Sequence, residues 1–171
     1  MRDIRTIHFR DSQPKAMMLR DKENVMSAER NKQVIERIYA AMAQGDRSVF
    51  AASVHSDYVW RFPGHCSWSR RFDGQEAIHR DLLRPLFGLF ATDYTARAIN
   101  LVAEGEMVVA EVRGDVMLKS GERYDNHYCF VFHFRDGKIA EVVEYCDTDL
   151  EERVLGNYDM VLAGHRASGQ H

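Results

Sequence analysis

The segment Tyr124 to Thr148, YDNHYCFVFHFRDGKIAEVVEYCDT, concentrates the residue types that could move protons. Glu144 stands inside the apolar run VVEYC, so on a strand it faces either solvent or core. Facing a cavity walled by Trp60, Phe62, Phe130 and Phe132, its charged form would be disfavoured by desolvation. Its pKa would then move toward the range useful in general acid/base catalysis. Arg113 and Asp115, one strand earlier, could tune it as a cation and a second carboxylate. Asn126 and Tyr128 could hydrogen-bond a substrate carbonyl or enolate oxygen. The blander alternative is a structural ion pair of Glu144 with Arg113, with Asn126 and Tyr128 satisfying the carboxylates.

Strand parity decides which of these residues can meet, and turn geometry fixes parity. A two-residue turn at Ser120-Gly121 puts Asp115 opposite Asn126 and Arg113 opposite Tyr128. A three-residue loop Arg135-Asp136-Gly137, with the glycine left-handed in a bulge, pairs Glu144 with Tyr128 and Cys146 with Asn126. A two-residue Asp-Gly turn would bring Val143, Tyr145 and Asp147 inward instead. The two turns give opposite answers for Glu144. Cys146 has pocket parity and no histidine to activate it, so it reads as lining. His65, on the loop after Pro63-Gly64, could stand at the pocket mouth as an acid/base or gating residue.

The elements that must position these groups follow from periodicity. Apolar residues at Val34, Ile35, Ile38, Tyr39 and Met42 predict a helix from Ser27 to Gly45. Asp46 can cap a short helix carrying Phe50 and Val54, followed by a strand over 57–62. A third helix presents Ile78, Leu82, Leu83, Leu86 and Leu89, with Pro85 as a kink or early break. Beyond Thr92 the period becomes two, predicting strands near 93–103, 107–118, 122–134 and 138–147, then a short helix from Asp149 to Leu155. Helices first and a meander afterwards is an α+β pattern.

Composition narrows the function class. With 171 residues, 45% hydrophobic and 29% charged, the chain suits one soluble domain. The net charge of −3 is spread along the sequence, leaving no basic stripe for nucleic acid. No apolar run approaches the ~18 residues that cross a bilayer, so no membrane association is expected. An odd number of cysteines (Cys66, Cys129, Cys146) without a CxxC pair, and no apolar leader, point to a reducing, cytoplasmic setting. His127, Cys129 and His133 share the opposite strand face but stand too far apart to converge on one ion. No metal and no cofactor are expected. Residues 1–26, dense in charge and without period, read as a disordered arm. Residues 156–171 read as a tail with little to pack.

The early helix ending in Gly45-Asp46, the strand closed by Phe62-Pro63-Gly64, and the motifs YxNxY, FRDGKI and EYxDT resemble the SnoaL-like branch of the nuclear-transport-factor-two-like superfamily. The similarity covers residues 27–155. It implies a cone-shaped α+β barrel, three N-terminal helices against a strongly curved, mainly antiparallel sheet, and a homodimer through the sheet's outer face. In the ketosteroid isomerases of the superfamily the base and the two oxyanion-hole residues fall on Phe62, Ile38 and Phe130. All are apolar here, which disfavours that mechanism. Arg113-Gly114-Asp115 and Glu144-Tyr145-Cys146-Asp147 look like motifs of the limonene epoxide hydrolases, but the water-positioning residues of that family fall near Trp60 and Phe62. Tyr124-x-Asn126-His127 with a last-strand glutamate resembles the phenazine-biosynthesis members, where the position of Glu144 is an acid/base residue.

The resulting expectation is a cofactor-independent cyclase or isomerase acting on a hydrophobic small molecule. Glu144, Asp115 and Arg113 are the expected catalytic residues. Asn126, Tyr128, Trp60, Phe62, His65, Phe130 and Cys146 are expected to bind substrate. An epoxide hydrolase and a non-catalytic small-molecule-binding protein are the alternatives.

Overall fold

The computed structural model describes residues 13–169. Helix α1 (Gln13–Met42) and the short α2 (Ser48–Ser53) lead into β1 (Val54–Arg61) and β2 (Arg71–Asp73). A continuous helical stretch follows: α3 (Gln75–Ala77), a π-helical turn (Ile78–Leu83) and α4 (Arg84–Gly88). The meander β3 (Thr95–Glu104), β4 (Met107–Asp115), β5 (His127–Arg135) and β6 (Lys138–Cys146) is closed by α5 (Thr148–Leu155) and α6 (Tyr158–Ala167). The sheet order is β2-β1-β6-β5-β4-β3. Its one parallel pair is β1 with β6; the other pairs are antiparallel. This is the expected α+β cone with a curved, unclosed sheet. No helix among the described residues is long and apolar enough to cross a membrane.

α1 packs against β3 and β4 and buries Ile35, Ile38 and Tyr39. It begins at Gln13, not at the expected Ser27; the rest of the proposed arm, residues 1–12, lies outside the described residues. The early turns carry exposed Met17, Met18, Val25 and Met26, so among the described residues no buried face imposes an apolar period there. Val54 opens β1 and does not close α2.

The helical stretch 75–88 is broken differently from a simple proline kink. The backbone N–H of Arg84 bonds the carbonyl of His79, five residues back, and Pro85 follows at the start of α4. Pro85 has no N–H to offer the carbonyl of Asp81. The hydroxyl of Tyr158 takes that carbonyl at 2.9 Å. Tyr158 is buried, with its ring edge-on to Trp68 at 5.2 Å. The C-terminal segment is therefore a packed helix, contrary to the expectation of a loose tail. It is anchored by Tyr158, with Val161 and Leu162 half-buried against the core, too short a set to register as a period.

The Asp136-Gly137 hairpin takes the two-residue alternative and the Ser120-Gly121 hairpin differs from expectation; together they decide parity. Arg135 pairs with Lys138 across a two-residue Asp136-Gly137 turn, and both turn residues have positive φ (52° and 74°). Asp-Gly favours this mirror-image turn because its twist matches that of the strands. Ala140 is then skipped: Phe134 pairs with Ile139 and His133 with Glu141. This bulge reverses the parity set by the turn. Phe130 consequently lies opposite Glu144, and Tyr128 opposite Cys146. In the other hairpin the tip is the longer one. Leu118 N–H bonds the Glu122 carbonyl across Lys119-Ser120-Gly121, and Val112 lies opposite Tyr128.

Candidate functional site

Tyr128, Phe130, Phe132, Val142 and Glu144 point from the sheet into one cavity of about 350 Å³. The cavity is covered by Tyr39 and Met42 of α1, Phe50 of α2, and Leu82, Leu83 and Leu86 of the broken helix. Aromatic rings make most of its wall. Trp60 and Phe62 stack nearly parallel (8°, centroids 6.2 Å apart), and Tyr128, Phe130 and Phe132 form a tilted stack along β5.

Glu144 is buried in this wall. Its Oε2 accepts the indole N–H of Trp60 at 2.9 Å. Burial pushes its carboxyl well above the ordinary range, and the nearby carboxyl of Glu151 pushes the same way; the Trp60 bond opposes both. Glu151 also lines the cavity. Desolvation raises it to about 7, against donation from the thiols of Cys66 and Cys146. Two carboxyls in one apolar chamber cannot both ionise cheaply, and burial favours the protonated form of each. The phenols of Tyr128, Tyr94 and Tyr39 are pushed up mainly by burial and so stay protonated donors. The hydroxyls of Tyr94 and Tyr124 both bear on that of Tyr128.

Glu151 was missed in the sequence because it lies on α5 in a charged string, TDLEER, that reads as solvated. The available signal was Asp147 at the N-cap. Its side chain accepts from the N–H groups of Asp149 and Leu150, fixing the helix phase that turns Glu151 inward.

Of the expected site residues, Glu144, Trp60, Phe62, Tyr128 and Phe130 meet in the cavity. Arg113 and Asp115 do not. Arg113 pairs with His127 on the outer face, and Asp115 is exposed and bound to Arg123 at 2.7 Å. The three-residue tip at 119–121 shifts the register by one, so the inward residue of Arg113-Gly114-Asp115 is the glycine. A Cβ on Gly114 would stand 2.9 Å from the Tyr94 hydroxyl and 3.0 Å from the Tyr128 ring.

Asn126 is fully buried, yet its amide is spent on the protein. Nδ2 donates to the Tyr124 hydroxyl and the Asp147 carbonyl; Oδ1 accepts from the backbone N–H groups of His127 and Asp147. It positions the start of α5 and has no capacity left for substrate. His65 is exposed and outside the cavity wall. Cys146 does not line the cavity; it sits behind it, beside Glu151. Among the described residues no group of three or more His, Cys, Asp or Glu side chains is placed to hold a metal ion.

Comparison with known proteins agrees with this architecture. The SnoaL-like domain profile matches residues 35–142, more than half of the chain, and the chain belongs to the SnoaL-like family. A protein from a soil-derived mobile gene cassette is 23% identical, with a TM-score of 0.60 over 80% of this chain and 98% of that one. An NTF2-like protein from Burkholderia xenovorans is 25% identical, with a TM-score of 0.58 over 76% of this chain and 98% of that one. A proposed SnoaL-like polyketide cyclase from a Jannaschia species is 17% identical, with a TM-score of 0.62 over 75% and 93%. No curated protein matches the chain.

Proposed function

We propose that this chain is an acid/base enzyme that needs no cofactor and acts on a hydrophobic small molecule, in the manner of a cyclase or isomerase. The observation that carries the reading is the pair of buried carboxyls, Glu144 and Glu151, facing an aromatic cavity where burial pushes the pKa of both upward. One carboxylate takes a proton from a carbon next to a carbonyl while the protonated partner, or the phenol of Tyr128, donates to the carbonyl oxygen. The enol then regains a proton elsewhere, which is isomerisation, or its carbon attacks a second carbonyl, which is cyclisation. Protons balance within the pair when the partner carboxyl donates; when Tyr128 donates, its phenolate recovers the proton from the carboxyl that took it. The outward placement of Arg113 and Asp115 removes the support for epoxide opening.

Deuterium exchange into the α-carbon of 1-tetralone, a bicyclic enolisable ketone, tests the mechanism. Catalysed exchange that is lost in Glu144→Gln supports it. Equal exchange in the variant and the wild type sinks it.

We further propose that the protein works as a homodimer through the outer face of the sheet. Val102, Val109 and Val131 lie in register across three strands there, half-buried at Val109 and Val131 and 67% exposed at Val102; Val143, next in line, is buried. Sedimentation of the wild type and of Val102→Lys/Val131→Lys checks this: a monomeric wild type removes the proposal.

A further inference from the structure

The interior of the cavity is aromatic and acidic, but its mouth is basic. Arg47, His79 and Arg84 line the cavity and are all exposed, which places them at its opening. Arg47 stands immediately before α2 and lays its guanidinium 4.3 Å over the Phe87 ring. His79 and Arg84 reach the same rim because the helix between them is wound as a π turn. In an α-helix, positions five apart diverge by about 140°. The wider turn brings them nearly into line.

Among the described residues no carboxylate pairs with Arg47 or Arg84 at this rim: the arginine–carboxylate pairs involve Arg61, Arg70, Arg71, Arg80, Arg123, Arg135, Arg153 and Arg166. The contrast is local. Arg80, one helical turn from Arg84, is held by Asp81 and Glu76. Two guanidiniums beside a low-dielectric opening concentrate anions there, and a guanidinium matches a carboxylate through paired N–H donors.

We propose that the mouth is an anion subsite and that the substrate is a planar, aromatic acid. Its fused-ring body lies between the stacks Trp60–Phe62 and Tyr128–Phe130–Phe132, and its carboxylate or equivalent anionic group stays at Arg47 and Arg84, with His79 as a further donor. The interior enforces this direction: an anion entering first would be desolvated among aromatic rings with no cation among the described residues to meet it, so the molecule is seated rings-first. The subsite deepens the acid/base reading by naming a substrate class and an orientation, and rests on the same cavity.

Titration calorimetry of the full chain with 2-naphthoate and its neutral isostere 2-naphthamide, at low salt and near-neutral pH, tests it. The acid is expected to bind about tenfold more tightly than the amide, a preference reduced by added salt. In Arg47→Gln/Arg84→Gln the preference is expected to vanish while affinity for the amide is unchanged. Equal affinity of the two probes for the wild type, a preference that survives in the double variant, or no binding of either at about 1 mM overturns the proposal. Glu144→Gln separates the two readings. A variant that keeps both the preference and full exchange activity leaves the subsite standing and removes the acid/base mechanism; a preference that survives in the arginine variant, with exchange lost in Glu144→Gln, does the reverse.

Discussion

The indole N–H of Trp60 meets Oε2 of Glu144 at 2.9 Å across the sheet's parallel pair, where Trp60 lies opposite Val142. A donor to a carboxylate stabilises its ionised form, so this bond restrains a carboxyl that burial drives upward. Trp60→Phe keeps most of the ring wall and deletes the donor. A hydrogen bond to a charged group contributes about 1.5–3 kcal/mol, or roughly one to two pH units. The limb of the pH–rate profile that belongs to Glu144 is expected to move to higher pH by that amount. A limb that stays in place or moves down shows that the indole does not act on this carboxyl.

Glu151 gives a stability signature that needs no substrate. Its folded-state pKa of about 7 lies above the ordinary 4.5, so the native state holds this proton more tightly than the unfolded chain does. Stability therefore falls as pH rises through the window between those values, and the penalty is complete above it. The shift corresponds to on the order of 3 kcal/mol. Glu151→Gln cannot ionise and is expected to flatten the decline between about pH 5 and pH 8 in urea unfolding. A decline as steep as in the wild type refutes the assignment.

The order of elements and the α+β class were legible because they rest on period changes: helical spacing at Ile35, Ile38 and Tyr39, alternation from Thr95 onward. Glu144 was legible as a carboxylate among apolar neighbours. The route to its inward orientation was not. The Asp136-Gly137 turn taken alone sends it outward, and the Ala140 bulge restores it. Nothing in the sequence KIAEVV marks alanine as the skipped residue, because a bulge answers to the fit of whole strands and not to local propensity. The one-residue difference at the 119–121 tip had the opposite effect, moving Arg113 and Asp115 out of the site. Glu151 was hidden for a third reason: helix phase depends on the cap, and the cap depends on a distant Asn126.

That dependence is itself testable. Asn126 bonds both the N–H and the carbonyl of Asp147, the residue whose side chain caps α5. Asn126→Ala leaves buried backbone groups unpaired and is expected to cost about 2–4 kcal/mol. Because α5 carries Glu151, exchange activity should fall as well, while Asp147→Ser, which retains a cap, should keep most of both. If Asn126→Ala is as stable as wild type under thermal unfolding, Asn126 is free for another role.

The triplet Arg113-Gly114-Asp115 makes the sharpest contrast, since its charged members were the obvious candidates and its glycine was not. Arg113 and Asp115 lie on the exposed face, where the Asp115–Arg123 pair is open to water, and such contacts contribute little. Arg113→Ala and Asp115→Asn should each change stability by no more than about 0.5 kcal/mol and leave catalysis intact. Gly114→Ala inserts a methyl group 2.9 Å from the Tyr94 hydroxyl and 3.0 Å from Cε2 of Tyr128, inside the cavity wall. Overpacking of this kind costs about 1–3 kcal/mol. It should also displace the Tyr128 phenol from substrate, lowering kcat at folded temperatures. Tyr94→Phe removes the nearest atom and should return part of the lost stability when combined with Gly114→Ala. Purely additive losses in that double variant would place the strain elsewhere, and an inactive Asp115→Asn would mean that the outer face belongs to the site after all.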